Sequence, residues 1–230
     1  MNNIGLSCHH SYLRPWTLVV TFSLLLLLWS NIAFATGPTP MTTFEASIEN
    51  IPDNIQQRMA PTLNPGCPIQ LKDLAYVTLS YWGFDDQTHT GVLIVDRSVA
   101  TQVVEIFKEL YLAKFPIARM EPIYLYDNDD DKSMLANNTS AFNCREKTGL
   151  PGTFSVHSYG RAIDINPLMN PYIKGNVLLP ATAQSYVDRN MAKPGMIIKD
   201  DIAYRAFISH GWTWGGDWTS LKDYQHFEKE

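Results

Sequence analysis

The sequence predicts an α+β fold in which a small, largely antiparallel central sheet is flanked by helices. Three observations carry this. Two β-rich runs, residues 75–82 and 89–95, flank a polar turn around Gly83 and Asp85-Asp86 and read as a hairpin. Two stretches with helical periodicity and end signals stand isolated between strands. The connections between these elements are short, which suits a sheet of mixed order with helices segregated from it.

Residues 16–28 are apolar and contain five consecutive leucines, with Arg14 ahead of them and Ala33-Phe34-Ala35 behind. That order is the signature of a secretory signal peptide over residues 1–35, cleaved after Ala35. An uncleaved anchor is the alternative, because the apolar stretch from Thr17 to Ala35 approaches the roughly 20 residues that span a bilayer. Ser30 and Asn31 interrupt it, which favours cleavage. Export to the periplasm or the medium is the expectation either way.

Cleavage leaves 195 of the 230 residues, enough for one domain with a real core. Residues 36–68 are rich in Pro, Thr and Asn without a sustained period, and predict an extended segment that adds little to the core. The main domain is therefore 69–230. After the hairpin, Asp96 or Ser98 can cap a helix running to about Lys114, with Val103, Ile106, Phe107 and Leu110 on one face and Pro116 as its stop. Residues 122–126 read as a short strand.

Residues 127–155 are polar throughout, from the aspartate run at 127–131 to Thr148-Gly149-Leu150-Pro151-Gly152, and read as a long functional or disordered loop. The aspartates lack the glycine and the trailing glutamate of an EF-hand, so a solvated acidic turn is expected there. Residues 161–166 alternate as a strand. A helix capped by Asp200 or Asp201 follows to His210, stopping at Gly211. The aromatic-rich ending returns to a strand over 223–227.

Net charge is −5, moving to −6 when the leader and its only charged residue, Arg14, are removed. A mildly acidic chain without a Lys/Arg cluster argues against nucleic acid and against adhesion to anionic membranes. Of three cysteines, Cys8 lies in the leader, leaving Cys67 and Cys144 in an oxidising compartment. A disulfide and two separate buried thiols are both compatible with that pair.

The chemistry-bearing residues lie in the second half. His157 and Asp164 stand seven apart with Gly160 between them to let the chain bend, and Ile163 and Ile165 flank the aspartate. On a strand those isoleucines point to the core while Asp164 faces the opposite way, beside His157. Asp223-x-x-His226 supplies a second imidazole and a further carboxylate. Two His and one Asp form a three-ligand site with a position left open, the pattern of a catalytic rather than a structural zinc. By spacing alone, a core histidine bonded to an aspartate is the ordinary alternative.

The Ser-x-His-x-x-Gly-x-Ala-x-Asp segment from Ser155 to Asp164, followed by Asp-x-x-His, resembles the M15 family of zinc D,D-peptidases and endolysin-type peptidases. Residues 140–145, 157–171 and Trp214-Gly215-Gly216-Asp217-Trp218 resemble its D-alanyl-D-alanine carboxypeptidase and L-alanyl-D-glutamate peptidase subgroup. The resemblance covers roughly 120–228 and implies a D,D-peptidase/hedgehog-like zinc fold. It makes His157, Asp164 and His226 the Zn²⁺ ligands and Asp223 the catalytic base. It makes Arg145 a candidate to grip a substrate carboxylate or the oxyanion, with Arg119 and Arg161 as alternatives because the local motif departs from the commonest form.

The implied partner is a peptidoglycan stem peptide, cut at the D-Ala-D-Ala or the L-Ala-D-Glu bond. A non-catalytic wall-binding protein that keeps the zinc fold and a D-amino-acid dipeptidase are the alternatives. Other tempting residues read as structural: His210 as a helix end, His89 as a hairpin surface residue, and Trp212, Trp214 and Trp218 mostly as packing. Asp217 reads equally as a turn cap or as an orienter of a ligand histidine. Ser155 reads as a hydrogen-bonding residue near the ligand loop.

Overall fold

The computed structural model describes residues 43–63 and 66–230; the expected leader lies outside them. Among the described residues no helix is long and apolar enough to cross a membrane.

The first sheet runs in the order β1 (Ala46–Glu49), β2 (Leu74–Trp82), β3 (Thr88–Asp96), all antiparallel. The expected hairpin is thus present, and its pleat sends side chains into two cores. Ala75, Val77 and Leu79 with Leu93 and Val95 enter the larger one; Leu74 and Tyr76 with Ile94 enter the smaller. A hairpin that is apolar on both faces needs two covers.

The second cover comes from the segment expected to be extended and peripheral, which is corrected here. It supplies β1 and helix α1 (Asp53–Met59), with Ile51 and Met59 buried against Leu74, Ile94, Phe142 and Cys144. Its few apolar residues, spread among polar ones, left no period to read. Cys67 and Cys144 are joined as a disulfide with Cα atoms 6.0 Å apart, within the usual bridging range.

Helix α2 (Ala100–Leu112) covers the larger face through Val103, Ile106, Phe107 and Leu110, as its periodicity predicts. It starts without a side-chain cap. Asp96 instead accepts from the Ser98 amide at 2.8 Å and shapes the turn ahead of the helix.

Two expectations fail in the middle of the chain. Residues 122–126 form a 3-10 turn, Ile123–Tyr126, closed by Asp127 and Asn128 in the left-handed region. The strand lies just before it, β4 (Arg119–Met120). The supposed long loop is structured: α3 (Asp130–Leu135) is followed by β5 (Asn138–Thr139), which pairs in parallel with β4. A hairpin, β6 (Glu146–Lys147) and β7 (Leu150–Phe154), comes next. The aspartate run begins α3, with Asp129 accepting from the Lys132 amide at 3.1 Å and Asp130 and Asp131 at the favourable end of the dipole.

In the last third, β8 (Ala162–Asp164), β9 (Tyr172–Lys174) and β10 (Val177–Leu179) precede α4 (Ile202–Ser209). Asp201 caps α4 by accepting from the Tyr204 amide at 2.7 Å. Phe207 of α4 meets Phe107 of α2 edge-on. β11 (Thr213–Trp214), β12 (Lys222–Asp223) and β13 (His226–Glu228) complete two three-stranded sheets, ordered β11-β13-β8 and β10-β9-β12. The α+β class stands, with several small sheets where one central sheet was expected.

Candidate active site

His157 sits in a 3-10 turn, Val156–Tyr159, that Ser155 starts and Gly160 ends. Ser155 Oγ accepts from the His157 amide at 3.4 Å. Gly160 has φ of 67° and docks on the end of β3, its carbonyl accepting from the Asp96 amide at 2.8 Å; a Cβ there would lie 2.5 Å from that same nitrogen. Only glycine meets both conditions. The bend expected between His157 and Asp164 is therefore fixed by contact with the first sheet.

Asp164 ends β8, directly opposite His226 of β13. Ile163 and Ile165 beside it are fully buried in the larger core, as strand alternation predicts. His226 Nδ1 lies 3.0 Å from Asp164 Oδ1, and His157 Nε2 lies 3.1 Å from Asp164 Oδ2 and 3.2 Å from His226 Nδ1. All three side chains are buried.

These separations fit a metal. Two ligands about 2.1 Å from a tetrahedral zinc stand roughly 3.4 Å apart. The outer nitrogens are also fixed: His157 Nδ1 donates to the Ala141 carbonyl at 2.6 Å, and His226 Nε2 donates to Glu228 at 3.0 Å. Such outer partners set the tautomer and aim the inner nitrogen. The cluster is thus compatible with a metal ion, held through His157 Nε2, a carboxylate oxygen of Asp164 and His226 Nδ1.

The charges are correspondingly strained. Burial opposes the Asp164 carboxylate, yet the charges and hydrogen bonds of His157 and His226 overcome it and hold the group far below the ordinary range. Burial also disfavours a charged His226, but its hydrogen bonds to Asp164 and Glu228 dominate and raise it to about 10. The hydrogen bond to His226 in turn lowers Glu228.

Asp223 behaves in the opposite sense. Burial pushes its carboxyl up to about 6, the attraction of His226 opposing and the like charge of Asp164 adding to the rise. Its Oδ1 is buried without a partner among the described residues. The bend that would bring Asp223 towards His226 is supplied by a change of sheet: β12 pairs Asp223 with Tyr172, and β13 pairs His226 with Asp164. The single strand expected over 223–227 is broken at Tyr224 and Gln225 for this reason. Gly215 presses on β12 from the other side, where a Cβ would lie 2.6 Å from the Asp223 carbonyl oxygen.

Arg145 lines the same cleft, which measures about 240 Å³. Its Nη2 pairs with Asp130 at 2.9 Å, while its buried Nε has no partner among the described residues. Ser158 ties its backbone to the histidine turn, accepting from the Arg145 amide at 2.9 Å and donating to its carbonyl at 2.7 Å. Arg161 instead pairs with Asp96 at 2.8 Å over a separate shallow depression, and exposed Arg119 does not line the cleft.

The remaining candidates also have places. His210 donates from Nδ1 to the Ala206 carbonyl at 2.8 Å at the end of α4, and His89 bonds Asp85 in the hairpin. Asp217 binds Lys199 and Tyr204 rather than a histidine. Trp212 and Trp214 are core, whereas Trp218 packs on His226 with ring centres 5.4 Å apart and lines the cleft. Glu228 was missed in the sequence, although its position two residues beyond His226 on one strand face could have shown it. Nothing in the sequence singled out the Ala141 carbonyl.

Residues 148–229 match the model of a peptidase family, M15, described as D-alanyl-D-alanine carboxypeptidase. The matched stretch contains His157, Asp164, Asp223 and His226 and stops short of Arg145. It supports the M15 peptidase resemblance and peptidase chemistry. Neither the curated proteins nor the solved structures gave a match.

Proposed function

With an M15-type peptidase region over residues 148–229 as the premise, we propose that the protein is an exported zinc peptidase that hydrolyses peptidoglycan stem peptides. The bond cut is D-Ala-D-Ala or L-Ala-D-Glu. The observation that carries this reading is the convergence of His157, Asp164 and His226, both histidines held by a second partner, beside a carboxylate whose Oδ1 has no partner among the described residues.

His157, Asp164 and His226 would hold the zinc. Bound there, zinc would polarise the scissile carbonyl and acidify the attacking water. Asp223 takes the water's proton and delivers it to the departing amine; a carboxyl lifted to about 6 is ionised at neutral pH yet basic enough to serve. Arg145, with Nε uncommitted and its main chain fixed by Ser158, receives a substrate carboxylate or the developing oxyanion. Trp218 and Leu179 give the cleft apolar walls that reduce water around these charges. Export is carried by the expected leader, and the wall peptides lie where an exported protein meets them.

The reading is tested by two variants assayed on purified muropeptides with mass analysis of the products. His157→Ala loses both zinc and turnover; Asp223→Ala keeps one zinc and loses turnover by at least about a hundredfold. Product masses identify the bond. Full activity in either variant refutes the mechanism.

A further inference from the structure

Two lysines border the cleft and take no part in the mechanism above. Lys147 closes β6 and Lys174 closes β9, so each sits at the last pair before a hairpin turn, opposite Leu150 and Val177 respectively. Both turns contain a glycine in the left-handed region, Gly149 and Gly175. The two hairpins thus present lysines at tips that belong to different sheets, and both lysines line the cleft.

The carboxylates of the cleft are already engaged. Asp130 is paired with Arg145, Asp164 lies between two histidines, and Glu228 is bonded to His226. Asp223 is reserved for the proton. Neither Lys147 nor Lys174 has an ion-pair partner among the described residues, although Glu228 feels the charge of Lys147. The chain as a whole is acidic, at −5. Lys147 and Lys174 thus add two unpaired cations to the rim of the cleft in an otherwise acidic chain, an arrangement that favours anionic ligands.

Arg145 can serve one carboxylate only, and Asp130 already offsets part of its charge. We infer that Lys147 and Lys174 form a second anion subsite, which selects peptides carrying a free carboxylate outside the residue pair that is cleaved. This rests on the peptidase reading and adds a specificity to it. Peptides with a free side-chain or branch carboxylate are the preferred class, and amidation of that group removes the preference.

The test uses two peptides that differ only in that carboxylate, free in one and amidated in the other. They are assayed with the zinc-loaded protein and with its Lys147→Met/Lys174→Met variant. The native protein favours the free acid by about tenfold in kcat/KM, carried by KM and weakening with salt, because exposed ion pairs are individually modest and screened. In the double variant the preference collapses towards parity while turnover of the amidated peptide is unchanged, which also reports that the variant is folded. Equal use of both peptides by the native protein, or a preference that survives in the variant, overturns the inference. Where neither peptide is cut by the native protein, the peptidase reading fails on its own. Calorimetric binding of the same pair then decides the subsite, and amidation-independent affinity sinks it.

Discussion

Asp223 and His226 stand three residues apart and are pushed in the same upward direction by different causes, and the pH behaviour follows from each. Asp223 is lifted by burial to about 6, so as a base it is disabled below that value. The account predicts that kcat/KM falls on the acid side as Asp223 takes up its proton. In the metal-free protein an ionised Asp223 is a liability: its folded pKa lies above the unfolded one, so the cost appears above the ordinary carboxylate range and is complete above about 6. Asp223→Asn therefore raises the melting temperature of the metal-free protein at pH 7 and leaves it unchanged below pH 4, as calorimetry would reveal. His226 carries the reverse sign. Its pKa of about 10 lies above the unfolded value of 6.5, so its stabilising proton is fully present below 6.5 and lost as pH rises through about 10. Metal must displace that proton, and zinc affinity should climb with pH across this window. At this scale the ligands were legible because a His-x6-Asp pair and an Asp-x-x-His pair each place donors at a fixed spacing. Glu228 and the Ala141 carbonyl were not, since outer partners are set by where strands and turns meet.

At the scale of elements, the site is a junction. β8 and β13 supply Asp164 and His226 from one sheet, β12 supplies Asp223 from another, and the turn after Trp214 holds them in register. Trp214 Nε1 donates to the Tyr224 carbonyl at 2.9 Å across the strand break, and Gly215 lies against Asp223. Gly215→Ala should push β12 away and lower kcat by about a hundredfold with zinc retained, since a displacement near 1 Å is costly for a positioned base. Native activity in that variant would show that the close approach is immaterial. One strand was expected over 223–227 because no Gly, Pro or other stop signal marks the break at Tyr224 and Gln225; the change of pairing partner there is a tertiary event. The structured interior of 127–155 was hidden for another reason. Its short helix and hairpin are held by Asp129, Asp130 and Ser158 through polar contacts that leave no hydrophobic period.

For the molecule as a whole, the two faces of the first sheet divide the labour. The larger core joins β2 and β3 to α2, α4 and the strands of the site, with Phe207 stacked on Phe227 at 3.9 Å one residue from His226. The smaller core brings in α1 and the Cys67–Cys144 bridge, which fastens the N-terminal segment next to Arg145. Removing both cysteines by serine substitution should cost about 2–5 kcal/mol in denaturant unfolding, as expected for a link across a long loop; an unchanged midpoint would make the bridge incidental. The fold class was legible from the hairpin and the two helices. The partition into several small sheets was not, because it depends on pairings between strands of two or three residues. The central claim is that one metal at His157, Asp164 and His226 makes this cleft a peptidase. Its most direct test is titration of the chelator-stripped protein with zinc while hydrolysis of a defined muropeptide is followed. The account predicts that activity appears linearly and saturates at one zinc per chain; turnover by the stripped protein, or a stoichiometric zinc that brings none, would contradict it.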